Sequence, residues 1–160
     1  MKLKIIHKFN PYKKGMRNMA NIEHLQTVNV PASTVYEALT TTKGLSEIWT
    51  NELVVNDQIG CINEFRFGGK GLTKMRVDEL VTDKKILWHC VDSDPEWIGT
   101  TISFDMEEKN GKTSIVFRQM NWEEVTTFYR LCNYNWAIFL YSLKQYCEEG
   151  EGLPYHKRKF

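Results

Sequence analysis

The 160-residue chain predicts a single α+β domain: one curved antiparallel sheet with a single long helix packed across it. Three observations predict this. From Glu123 to Glu149 apolar residues recur at spacings of three and four, the signature of an amphipathic helix. From Ile59 to Met120 the chain reads almost entirely as strand and turn. Hydrophobic residues make up 42% and charged residues 26%, so a chain of this length can bury one core and has no need of a second domain. A helix laid over such a sheet must either fill the space beneath it or enclose a cavity there.

The elements follow in order. Gln26, Val28 and Val30 alternate with Leu25, Thr27 and Asn29, which predicts a strand over Glu23–Val30 that Pro31 stops. Val35, Tyr36, Ala38 and Leu39 then form the apolar side of a short helix opened by Pro31 or Ser33, and a second short helix is expected from Gly44 to Trp49. Five strands follow in series: Ile59–Phe67, Leu72–Val81, Lys85–Val91, Ile98–Met106 and Lys112–Met120. Gly68 to Gly71, Asp83-Lys84, Asp94-Pro95-Glu96 and Asn110-Gly111 supply turn chemistry between them, and a meander of hairpins is the simplest connection. The last helix carries Val125, Phe128, Tyr129, Cys132, Trp136, Phe139, Leu140, Leu143 and Cys147 on one face, with Arg130, Asn133, Lys144 and Glu148 opposite. At about 1.5 Å per residue it is expected to span roughly 39 Å, ending at Gly150 and Gly152.

Charge is segregated along the chain. The first 22 residues hold six Lys and Arg and no acid, and Lys157, Arg158 and Lys159 close the chain, so 1–22 reads as a basic arm, 23–155 as the domain and 156–160 as a basic tail. Between Glu23 and His156 stand 12 basic and 20 acidic residues, a balance of −8, which argues against a nucleic-acid face on the domain. Met16 and Met19 both precede the first strand pattern, and residues 1–18 are read as a solvated tail or as lying upstream of the native start rather than as an arm for RNA or a membrane surface. No apolar run approaches the roughly 18–20 residues of a membrane span, and Asn10-Pro11-Tyr12 stands where a signal peptide would be apolar. The expectation is a cytoplasmic protein without a membrane span.

Motifs that would carry chemistry are scarce. Gly68-Gly69-Lys70-Gly71 lacks the spacing of a phosphate-binding loop and leads into a strand, so it reads as a hairpin. Cys61, Cys90, Cys132 and Cys147 form no CxxC pair and read as reduced, buried thiols, while His7, His24, His89 and His156 stand apart. No metal or other cofactor is expected. His89 and Cys90 are neighbours on one strand and point to opposite faces, so they cannot act as a pair. Glu64, Arg66 and Gln119 are the polar strand residues of most interest, with a cross-strand ion pair or a solvated edge as the ordinary explanation.

The remaining signal is aromatic. The many Trp and Phe side chains converge on one interior, which is either a filled core or an apolar pocket with a few orienting polar groups. The residues expected to line such a pocket are Trp49, Phe65, Phe67, Met75, Trp88, Phe104, Phe117, Gln119, Phe128, Trp136, Phe139 and Leu140.

Four stretches carry a resemblance to a known family: Val30-Pro31-Ala32-Ser33-Thr34-Val35-Tyr36 with Trp49 downstream, Met75-Arg76-Val77-Asp78-Glu79-Leu80, Glu96-Trp97-Ile98-Gly99-Thr100, and Trp136 through Leu143-Lys144 to Glu149-Gly150-Glu151-Gly152. Together with the element order they resemble the helix-grip fold of the START/SRPBCC (Bet v I-like) superfamily. Within it the chain is similar to bacterial homologues of the activator of the ninety-kilodalton heat-shock protein's ATPase, C-terminal domain type. The resemblance covers about residues 22 to 155 and implies a six-stranded sheet with the long helix as its grip. It also implies either a binding protein for small hydrophobic or amphipathic ligands or a co-chaperone-like interaction module, as a monomer or homodimer with a chaperone or other protein partner. A cyclase or hydrolase using Glu64, Arg66, His89 or Tyr129 is the third reading. The resemblance implies a histidine at the position of Gln119 in many members, and the glutamine here weakens acid/base chemistry.

Overall fold

The computed structural model describes residues 19–69 and 71–159; the expectations for residues 1–18 and for Lys70 lie outside them. Seven strands form one antiparallel sheet in the order β1-β7-β6-β5-β4-β3-β2, from β1 (Ala20–Val28), β2 (Glu52–Val54), β3 (Ile62–Arg66), β4 (Thr73–Val81), β5 (Lys85–Asp92), β6 (Thr101–Lys109) and β7 (Lys112–Trp122). Helices α1 (Ala32–Thr40) and α2 (Thr42–Ile48) bridge β1 to β2, and α3 (Thr127–Glu149) crosses the sheet. The seventh strand is β2, which the sequence reading leaves as loop. It is three residues long, too short for a period to declare itself, and it exists because Leu53 registers opposite Phe65.

Local chemistry sets the boundaries. Pro31 cannot donate to a ladder, so it ends β1 and stands at the N-cap of α1. Gly44 allows α2 to fold back on α1, since a Cβ there would lie 2.2 Å from the Ala38 carbonyl oxygen. β3 begins at Ile62, three residues later than expected, because Gly60 turns with φ +87° and donates its N–H to the Val77 carbonyl at 2.7 Å. β6 likewise begins at Thr101, because Asp94 to Gly99 form a turn closed by Gly99 N–H on the Cys90 carbonyl at 3.0 Å. The Asn110-Gly111 turn is present with both residues at positive φ, 54° and 71°.

The junction between β7 and α3 departs most from the periodic reading. Asn121 takes φ +72° and the β1–β7 register slips between Ala20 and Ile22, a bulge that turns Trp122 inward, where strict alternation from Gln119 would have placed Asn121. Helix α3 therefore starts at Thr127 instead of Glu123, with the Thr126 hydroxyl accepting from Tyr129 N–H, and ends at Gly150 in the left-handed conformation. Its 23 residues span about 35 Å.

Beneath the middle of α3 the interior is filled. Phe139 packs 5.8 Å from Phe104 and 5.5 Å from Trp49, Phe117 lies 4.5 Å from Trp136, and Trp49 lies 4.4 Å from Phe65, all between ring centroids. Each of these side chains is at most 5% exposed, and full burial of one contributes roughly 1.5–3 kcal/mol.

Candidate functional site: a cleft at one end of the helix–sheet interface

The packing opens toward the N-terminal half of α3. There a cleft of about 450 Å³ lies between Phe128, Leu131, Cys132, Asn135 and Trp136 of the helix and the sheet end formed by Leu72, Thr73, Ser93, Asp94 and Trp97. Trp49 and Phe67 close one side with Tyr155 and Arg158, and Gly71 completes the wall.

Each wall is positioned by local bonds. The loop after β5 is tied to α3 by the Thr126 hydroxyl donating to the Glu96 carboxylate, and its Trp97 stacks on Trp136 with planes 14° apart and centroids at 5.8 Å. Trp97 Nε1 donates to Cys132 Sγ at 3.2 Å, which holds the indole over the helix. Burial pushes the Cys132 thiol up to about 12, so the sulfur is a protonated wall and not a nucleophile. Trp136 Nε1 donates to Gln119 Oε1 at 2.7 Å, Gln119 Nε2 donates to Thr100 Oγ1 at 3.0 Å, and Thr100 Oγ1 donates to the Trp97 carbonyl at 2.8 Å. This chain joins the two stacked indoles through the sheet.

The far wall comes from the segment after α3. Ser142 Oγ donates to the Ile48 carbonyl at 2.9 Å and accepts from Leu153 N–H at 2.7 Å, and Gly152 lies so close to α2 that a Cβ would sit 2.3 Å from the Glu47 carbonyl oxygen. Tyr155 N–H then donates to the Trp49 carbonyl at 2.7 Å, and the Tyr155 ring meets Phe67 edge-on at 5.5 Å. One turn further on, Arg158 donates from Nε to the Leu153 carbonyl at 2.9 Å and from Nη2 to the Ile48 carbonyl at 3.3 Å.

Of the twelve residues expected to line a pocket, the structure brings Trp49, Phe67, Phe128 and Trp136 together on the cleft. The other eight do not border it. Phe65, Met75, Trp88, Phe104, Phe117, Gln119 and Phe139 are fully buried or within 1% of it, and Leu140 is 2% exposed, because the helix lies flat on the central strands and the rings interlock there. The cleft is displaced to one end, where loops form the floor. Trp97, Tyr155 and Arg158 were not among the expected lining residues. Trp97 belongs to a turn and the other two follow the helix, so no strand or helix period marks them. Glu64, Arg66, His89 and Tyr129 lie away from the cleft: His89 faces Asp78 on the outer side of the sheet with Nδ1 3.9 Å from Oδ2, and the Tyr129 hydroxyl donates to the Asn21 carbonyl at 2.6 Å.

A curved antiparallel sheet gripped by one long C-terminal helix, with an aromatic cleft at the open end of their interface, defines a protein of the helix-grip, START-like class. Residues 29–148 match the family described as Activator of Hsp90 ATPase homolog 1-like protein, and the chain belongs to that family. It is similar to the Aha1 dimer from Colwellia psychrerythraea, solved in solution, with 38% identity, a TM-score of 0.77, and coverage of 84% of this chain and all of that one. Crystal structures of proteins from Mesorhizobium loti (16% identity, TM-score 0.70, 79% of this chain and 95% of that one) and Staphylococcus saprophyticus (18%, 0.68, 83% and 95%) share the fold. No curated protein matches the sequence. Among the described residues no helix is long and apolar enough to cross a membrane.

Proposed function

We propose that the protein binds a small hydrophobic or amphipathic ligand in the cleft between the sheet and α3, without transforming it. The observation that carries this reading is the lining: six aromatic side chains, Trp49, Phe67, Trp97, Phe128, Trp136 and Tyr155, border an opening of about 450 Å³, within the range of roughly 300–1,000 Å³ usual for small-molecule sites. Aromatic walls held by hydrogen bonds are preformed, which lowers the ordering cost of binding. The placement of Glu64, Arg66, His89 and Tyr129 away from this space favours binding over acid/base catalysis. The test is fluorescence of the neutral probe N-phenyl-1-naphthylamine. Enhancement with the wild type that is lost in Asn135→Trp, which fills the cleft from α3, supports the reading. No enhancement, or enhancement indifferent to that substitution, overturns it.

A second reading is a protein-interaction module of the kind that the family description and the Colwellia psychrerythraea dimer suggest. Leu131, Tyr134 and Tyr141 are 54%, 61% and 54% exposed along one side of α3, an apolar stripe suited to a second copy or another protein. Sedimentation of the wild type against Tyr134→Glu tests self-association, and the turnover of a heat-shock ATPase with and without the protein tests the co-chaperone role. A monomeric wild type with no effect on turnover removes this reading.

A further inference from the structure

We infer that the ligand of this cleft is an amphipathic monocarboxylate whose head group sits against Arg158 and whose apolar body lies among the aromatic rings. The inference rests on the binding reading above and specifies its chemistry.

Arg158 is a half-buried cation, the one Lys or Arg among the described residues that line this aromatic-rich cleft. Two of its N–H groups are committed to the Leu153 and Ile48 carbonyls, which fix the plane of the guanidinium while adding no negative charge. A guanidinium carries five N–H donors in a planar fork, so the group keeps donors for a further acceptor. Among the described residues no carboxylate lies within 4 Å of it. The neighbouring Lys157 is paired with Glu151 at 3.2 Å, so the acid nearest in sequence is already engaged. Burial holds Arg158 down to about 10, outweighing a raising effect of the neighbouring Tyr155, the direction expected for a cation that has lost water without gaining a carboxylate. A carboxylate accepts two parallel bonds from such a fork and restores that loss.

The charge of the ligand follows from the acid that also lines the cleft. Asp94 is exposed, and its Oδ1 accepts from Glu96 N–H at 3.0 Å, so it shapes the turn and does not neutralise Arg158. One cation and one solvated acid suit a single negative charge and disfavour a phosphate dianion. Trp49, Phe67, Trp97, Phe128 and Trp136 give the rest of the lining its apolar character, and of its polar groups Thr73 and Ser93 are bonded to each other at 2.8 Å while Asn135 Nδ2 donates to the Leu131 carbonyl at 2.9 Å.

Decanoate and decan-1-ol, which share a chain and differ in the head, make the test. Their dissociation constants are measured by displacement of N-phenyl-1-naphthylamine at pH 7.5 and checked by calorimetry. The wild type is expected to favour decanoate by about tenfold or more, as a charge-assisted bond in place of a neutral one implies, and in Arg158→Met the preference falls to about unity. Arg158→Lys, which keeps the charge but loses the fork, is expected to retain part of it, and it stands in as the second variant if Arg158→Met does not fold. Equal affinities in the wild type overturn this inference and leave the cleft as a binding site for neutral ligands, and an undiminished carboxylate preference in Arg158→Met overturns it by placing the head group elsewhere. If neither compound displaces the probe, this inference falls, while the binding reading stands or falls on the probe's own enhancement and its loss in Asn135→Trp.

Discussion

Trp136 at the middle of the long helix donates its indole N–H to Gln119 Oε1 at 2.7 Å, and both residues are buried, at 3% and 0% exposure. The bond lies at the border of core and cleft: Trp136 lines the cleft and Gln119 does not. Gln119 spends its other end on Thr100, which in turn holds the carbonyl of Trp97, the indole stacked over Trp136. A polar side chain at the innermost face of β7 is thus the support of an aromatic wall, and each of its two polar atoms has a partner, as burial requires.

Replacing that support has a predictable cost. Gln119→Leu strands the Trp136 N–H without an acceptor and is expected to lower stability by about 2 kcal/mol, read as a shifted urea midpoint at unchanged m-value. The double variant Gln119→Leu with Trp136→Phe removes both partners, and its loss is expected to be smaller than the sum of the single losses.

The wall after α3 depends on close backbone approach. Gly152→Ala would drive a Cβ to 2.3 Å from the Glu47 carbonyl oxygen, so the segment must lift away from α2. The expected result is a loss of about 1–3 kcal/mol, as for other overpacked sites, with faster hydrogen exchange at the Tyr155 amide, whose bond to the Trp49 carbonyl is the next clamp along the chain. Exchange at Tyr155 as slow as in the wild type would refute the clamp.

Two buried thiols, Cys90 and Cys132, and the half-buried Cys147 set the alkaline limb of stability. Burial raises Cys90 to about 11 and Cys132 and Cys147 to about 12, from an ordinary value of 9.0. Groups raised on folding hold their protons longer in the native state, so their contribution is complete below pH 9 and is lost as pH rises toward 11–12. Arg158, lowered to about 10, acts in the opposite sense above that pH, but three thiols outweigh one guanidinium. Thermal unfolding is therefore expected to shift to lower temperature between pH 9 and 11, and the shift should shrink in a variant with all three cysteines changed to alanine or serine.

Trp97 shields the sulfur to which it donates. In Trp97→Ala the Cys132 thiol, 6% exposed in the wild type, loses both its cover and its hydrogen bond. Native-state alkylation by iodoacetamide, mapped by peptide mass spectrometry, is expected to become faster at Cys132 and to stay slow at Cys90, which is 0% exposed. An unchanged Cys132 rate would show that the indole is not the barrier.

Periodicity and turn chemistry carried most of the architecture. The apolar face of the long helix, the alternation along β1 and the Asn110-Gly111 hairpin depend on neighbours three, four or two residues away, and such local patterns are written in the chain. They determined an α+β protein with one long helix on one antiparallel sheet, and the four quoted stretches pointed to the family. What they could not carry was set by contacts distant in sequence. β2 exists only against β3, Trp122 turns inward only because Asn121 bulges against β1, and Arg158 reaches the cleft only because Ser142 and Gly152 pin the chain to α2. Whether the space under the helix is core or pocket was likewise a tertiary decision. An aromatic residue has the same apolar surface in either role, and only the lie of α3, flat on Phe104 and Phe117 but open toward Trp97, made one end solid and left the other as a cleft.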